Sequence, residues 1–157
     1  MRKFKFNLQR VLDYRGSIEE KLLAELAAAR AHHDREVAGL LEISRSRNLY
    51  RRKMRTRLTG ADADAIRQAH NYLNDLVRQV KSQEIAVTRA AEMKDKKTAE
   101  VIEASKDRKV LERLRDYKLL EYTSEAQSLE QKFLDDIASI RSNRAKSRSG
   151  SAGGGFS

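Results

Sequence analysis

The sequence predicts an all-α protein: a long two-helix antiparallel coiled coil, a helical hairpin with a disordered C-terminal tail. Three observations predict it. The 157 residues include no proline, where average usage supplies about eight, and proline breaks a helix interior by removing a donor and clashing with the turn before it. Apolar residues recur at three- and four-residue steps along most of the chain, which places them on one stripe of a helix. One glycine-centred break, Thr59-Gly60-Ala61-Asp62, divides the pattern. Composition agrees. Charged residues make up 36% and aromatics 6%, which suits an elongated rod with a narrow apolar seam better than a compact globule.

The first helix is expected over residues 7–58. Its stripe reads Leu8, Leu12, Ile18, Leu22, Leu26, Ala29, Val37, Leu40, Ile43, Tyr50, Met54 and Leu58. Arg15, His33 and Arg47 interrupt the stripe, so the seam falls short of an ideal heptad. Gly16 and Gly39 weaken the helix and are candidate bends. At the break, Gly60 suits the left-handed conformation that ends a helix. Thr59 with Asp62 has the spacing of a capping box, and Asp62 and Asp64 complement a helix N-terminus.

The second helix is expected over residues 62–141. Its stripe reads Ile66, Ala69, Leu73, Leu76, Val80, Gln83, Val87 and Ala90, weakens through Lys94 and Lys97, and resumes at Val101, Leu111 and Leu114. It continues as Tyr122, Ala126, Leu129, Phe133, Ile137 and Ile140. The weak stretch from Lys94 to Lys109 is expected to be flexible or exposed. Residues 1–142 thus form one hairpin domain with its turn at 59–62. Residues 143–157, basic and rich in Gly and Ser, form the disordered tail. At 1.5 Å per residue the helices would be roughly 80 and 120 Å long. The second then overshoots the first from about Arg115 to Arg141, leaving Ile137 and Ile140 without an internal partner.

Whole classes of function drop out. With no cysteine there is no disulfide framework and no thiolate metal site. No apolar run is long enough to span a membrane, and the N-terminus lacks the apolar core of a secretory signal, so the expected compartment is the cytoplasm. GADADAI has one glycine and no lysine, which does not make a phosphate-binding loop. His32, His33 and His70 do not fall in a zinc pattern. No catalytic residue, metal site or cofactor is expected, and the protein is not expected to be an enzyme.

Two features point to partners. Arg45, Arg47, Arg51, Arg52, Lys53, Arg55 and Arg57 lie in one stretch without an acid and create a local positive field. Such a patch meets an acidic protein face, an anionic membrane or nucleic acid, or is a solvated face partly neutralised by Asp62, Asp64 and Asp75 across the turn. Only Tyr50 is available there for base stacking, so no specific nucleic acid is expected. Tyr72 and Leu76, four residues apart just past the turn, share a helix face, as seam packing or as a partner-binding patch.

The opening Phe4-Lys5-Phe6-Asn7-Leu8-Gln9-Arg10-Val11-Leu12-Asp13-Tyr14-Arg15, with Glu19 or Glu20 and Leu23 downstream, is similar to the F-x-F-x-L-x-x-V-L-x-x-R opening of flagellar FliJ proteins. The mid-chain glycine turn, the lack of proline and the late LEQKFLDDIA segment also resemble that family; the Gly-rich tail does not. The resemblance implies a soluble, non-catalytic stalk or adaptor of the flagellar type III export apparatus, peripheral on the cytoplasmic face of the cell membrane through its partners. Those partners would be the export ATPase hexamer, the cytoplasmic domain of the export gate, and export chaperones. It further implies gate binding at the tip through Tyr72 and Leu76, with Tyr50 and Ile43 on the same surface. Phe4, Phe6, Arg10, Phe133, Ile137 and Ile140 would face the ATPase ring. On that basis Tyr72→Ala with Leu76→Ala is expected to weaken gate binding while leaving helicity intact. A related stalk of a virulence-type injectisome and a basic coiled-coil adaptor for nucleic acid or membrane are the alternatives.

Overall fold

The computed structural model describes residues 3–150, with side chains placed for residues 3–144. Two helices make up its secondary structure, α1 (Gln9–Arg57) and α2 (Ala63–Gly150), with no strand among the described residues. Residues 13–108 form one compact unit, and residues 1–12 with 109–157 form another.

The turn lies where the glycine-centred break predicts it. α1 ends with Arg55 and Arg57 in its last turn, cations that complement the partial negative charge of a helix C-terminus. Gly60 has φ of +89°, a conformation that costs a residue with a Cβ about 1 kcal/mol or more. The cap of α2 differs from the expected box. Asp62, not Thr59, is the capping residue: its Oδ1 accepts from the Ala65 amide at 2.8 Å, and its carbonyl accepts from Ile66 at 3.2 Å. A box centred on Thr59 fails because the chain is still turning through Gly60, and the first helical residue is Ala63. Asp62→Ala should lower stability by about 1 kcal/mol, read from the urea midpoint.

The unit formed by residues 13–108 holds most of the core. Leu26, Leu76, Val80, Ala90 and Ala104 are buried. Contacts between its helices run in opposite directions: Arg15 meets Asp107 at 3.0 Å, Glu19 meets Arg108, and Glu25 meets Lys97 at 2.7 Å. Farther toward the turn, Gln83 donates to the Glu36 carbonyl at 2.9 Å, and the Tyr50 and Tyr72 rings lie 4.6 Å apart. As residue numbers rise on α1 they fall on α2, which is antiparallel pairing.

The seam corrects the expected stripe. One line of buried and half-buried positions along α1 runs Arg15, Glu19, Leu22, Leu26, Ala29, His33, Glu36, Leu40, Ile43, Arg47, Tyr50 and Met54. One along α2 runs Ala69, Leu73, Leu76, Val80, Gln83, Val87, Ala90, Lys94, Lys97, Val101, Ala104 and Arg108. Steps of four and three alternate along both helices, the repeat that keeps a coiled-coil face toward its partner. Arg15, His33 and Arg47 therefore do not interrupt the seam; they occupy it. Residues 94–108 are likewise seam rather than a flexible, exposed stretch, because Lys97 and Arg108 meet acids of α1 there.

Gly39 is one point of close approach. A Cβ there would lie 3.3 Å from the Gln83 amide nitrogen, which also donates to the Glu36 carboxylate. Neither Gly39 nor Gly16 ends α1, which runs through both.

In the other unit, residues 3–8 are not helical, yet they line a shallow hollow with Leu114, Lys118, Glu121, Tyr122 and Glu125 of α2. Phe4 meets Tyr122 with ring centroids 5.6 Å apart, and Leu12 is buried. This segment covers α2 well beyond Arg115, so the uncovered stretch starts later than helix lengths alone suggest. Past it, Leu129, Phe133, Leu134 and Ile140 are exposed, and Ile137 is partly covered. α2 continues to Gly150, so residues 143–150, expected as tail, are helical. Residues 143–149 contain no proline and no glycine, so nothing in that segment stops the helix. The remainder of the expected tail, 151–157, lies outside the described residues.

Candidate functional site

Three groups of residues were expected to meet partners, and each lies within one unit. Near the turn, Tyr72 and Tyr50 are brought together edge to face, their planes at 70°. Tyr72 keeps 50% of its surface exposed, while Tyr50 and Ile43 are half-buried on the seam side of α1. Leu76 is different: only 5% of it is exposed. The i, i+4 spacing does place Tyr72 and Leu76 on neighbouring parts of the helix, but Leu76 falls on the seam position and points into the core. The patch open to a partner is the Tyr72 ring backed by Tyr50. Leu76→Ala therefore removes a core side chain, so the double variant Tyr72→Ala with Leu76→Ala tests packing as well as contact.

The basic cluster lies on the adjoining stretch of α1. Arg45, Arg51, Arg52, Lys53, Arg55 and Arg57 are exposed, and Arg47 is half-buried at a seam position. No ion pair crosses the turn to this cluster among the described residues. Asp64 pairs with Arg67 at 3.6 Å and Asp75 with Arg78 at 3.4 Å, both within α2, and Asp62 caps that helix. Among the described residues none of the seven cations is within ion-pair distance of a carboxylate; Arg47 instead donates to the Asn48 side chain.

In the unit that contains the N-terminus, Phe4, Phe6 and Arg10 line one hollow with Arg115 and Leu119. Phe133, Ile137 and Ile140 follow farther along α2 at steps of four and three, one face of the helix. Phe133 is 64% exposed, which leaves its ring free for another surface.

Charge pairs tune titration in both units. Hydrogen bonding to Lys97 holds the Glu25 carboxyl below the usual carboxylate range, and Glu100 and Glu25 together push the Lys97 ammonium up. Lys118 is raised chiefly by its hydrogen bond to Glu121, which is lowered by the same bond. A lowered carboxylate adds stability above its ordinary pKa and loses it as pH falls through the lowered value. A raised lysine adds stability below its ordinary pKa and loses it as pH rises through the raised value. The Glu25–Lys97 contribution is therefore whole from neutral to mildly alkaline pH. Glu25→Gln should reduce the loss of stability between pH 7 and pH 3, measured by urea midpoints at each pH.

Sequence reading missed the polar members of the seam, Glu19 and Glu36, and the acids Glu25 and Asp107 that pair with cations of the other helix beside it. The signal was present, because Arg15, Glu19, Leu22 and Leu26 already keep alternating four- and three-residue steps.

No group of three or more His, Cys, Asp or Glu with metal-holding geometry exists among the described residues, and no helix there is long and apolar enough to cross a membrane. Two long paired helices with exposed aromatic and basic faces define a class of protein, the helical coiled coils. The sequence model of one family, described as Flagellar FliJ protein, matches residues 4–147. The chain belongs to the flagellar FliJ family, and so to the non-enzymatic components of flagellar protein export. Searches of curated proteins and of solved structures each found no match.

Proposed function

We propose that this protein is a non-catalytic stalk and adaptor of the flagellar type III export apparatus. In this reading it links the export ATPase hexamer to the cytoplasmic domain of the membrane export gate and handles export chaperones. The observation that carries it is the family match over 4–147, which takes in both helices and the turn between them. The protein acts in the cytoplasm and reaches the membrane face through its partners. Tyr72, with Tyr50 behind it and Ile43 on the same side, contacts the gate. Phe4, Phe6 and Arg10, with Phe133, Ile137 and Ile140, contact the ATPase ring.

A stalk of this kind changes a neighbouring ATPase only by binding some of its states better than others. Exposed rings and unpaired arginines supply the apolar anchors and the steering charge such binding uses. Purified protein added to its cognate export ATPase at micromolar concentration should change ring assembly or ATP turnover. Neither binding nor any change in turnover at that concentration would contradict the reading.

A further inference from the structure

The outer face of α1, away from α2, combines arginines of the basic cluster with exposed leucines that the reading above does not use. Leu41 and Leu49 are each 54% exposed, and they line one shallow hollow with Ala38, Glu42, Arg45 and Arg52. At about 100° per residue, Leu41, Arg52, Arg45 and Leu49 fall within roughly 80° of arc. Arg55 and Lys53 flank them on either side. Glu42 is the one acid on this face, and it is not within ion-pair distance of these arginines.

We infer that this face docks on an anionic lipid surface, with Arg45 and Arg52 on headgroup phosphates and Leu41 and Leu49 at the headgroup–acyl boundary. Charge complementarity is the first argument. The seven cations from Arg45 to Arg57 include no acid between them, and the acids nearby are engaged within α2. The arrangement of the apolar residues is the second. Leu41 and Leu49 lie two turns apart, about 12 Å along the axis, with arginine between them. A protein partner gains most from apolar anchors clustered in one desolvated pocket, and these two leucines do not make one. A headgroup layer needs no such pocket: each leucine inserts separately, and each arginine finds a mobile phosphate in its own geometry. The arginine stems lie along the same apolar zone while their guanidinium groups reach the headgroups.

The experiment is flotation of the full chain with vesicles in about 0.1 M salt, where the Debye length is about 10 Å. Vesicles of phosphatidylcholine alone are compared with vesicles carrying about one-third phosphatidylglycerol. Binding to the second and not the first is expected. Leu41→Ser with Leu49→Ser, and separately Arg45→Gln with Arg52→Gln, should each reduce it about tenfold. Arg67→Gln with Arg78→Gln, which removes equal charge from α2, should leave it unchanged. All six residues are exposed, so the helical spectrum of each variant should match the parent. The inference is overturned by three results. One is no binding to anionic vesicles. The second is binding that the leucine pair does not alter, which means charge attraction alone. The third is retention on immobilised polyglutamate without vesicle binding, which means an acidic protein partner. The assay contains no export component, so its outcome is separate from that of the ATPase experiment.

Discussion

Leu76→Ala should lower the stability of the protein by about 2–3 kcal/mol, roughly 10 °C in Tm. Leu76 is 5% exposed and lies among the few buried side chains of its unit, with Val80 one step along the seam. Truncating it removes buried apolar surface and leaves a space between the helices. A seam this narrow has little neighbouring core to collapse into the gap, since no large side chain is fully enclosed. Urea titration followed by helical ellipticity measures the effect. A change under about 0.5 kcal/mol, the ordinary size for surface substitutions, would mean that Leu76 is not in the core. Any loss of partner binding by this variant has to be read beside its fraction folded.

Tyr72→Ala should do the reverse: helical content within error of the parent, with gate affinity reduced about tenfold or more, as expected for an exposed aromatic anchor. Half of the Tyr72 surface is open, and its edge-on contact with Tyr50 is worth about 0.5–1.5 kcal/mol, so stability falls only modestly. Tyr72→Phe keeps the ring and should keep most of the affinity. Titration of each variant against the purified cytoplasmic domain of the gate separates the cases. Equal affinity of Tyr72→Ala and the parent would remove Tyr72 from the proposed contact. The contrast between Tyr72 and Leu76 matters because the two lie four residues apart, and only the structure assigns one to the surface and the other to the core.

Much of this fold was legible in the residues. The absence of proline permits long helices, and Gly60 is the position whose backbone takes the left-handed conformation. The direction of pairing follows from a turn of only a few residues. The composition of the seam was harder to read. An apolar stripe was sought, and Lys97, Arg108 and Arg15 looked like interruptions. Each is a long side chain whose stem packs in the interface while its head meets an acid of the other helix; that acid lies 72 to 92 residues away in sequence, so no local pattern announces it. α2 runs past the expected helix end, to Gly150, for a related reason: Ser and Arg residues read as the start of the tail, although neither stops a helix. At the candidate site, spacing left Tyr72 and Leu76 together as seam or as partner patch; the exposure of one and the burial of the other depend on a register between helices that spacing on one helix does not set. The Asp64–Arg67 and Asp75–Arg78 pairs likewise form within one helix at i, i+3, and that choice left the basic cluster of α1 without an ion pair across the turn among the described residues.

The central claim is that one chain folds back at Gly60 and pairs α1 with α2 in antiparallel register. With no native cysteine, spin labels are easily confined to chosen sites, and Arg35, Glu84 and Lys106 are exposed. Labels at 35 and 84, in protein diluted with excess unlabelled chain, should give a distance of about 15–25 Å, the span of two packed helices plus label arms. Labels at 35 and 106 should lie beyond roughly 30 Å, from the helical rise between 84 and 106. A long distance for the first pair, or a short one that disappears on dilution, would mean that α1 pairs otherwise or with a second chain, and the account would be contradicted.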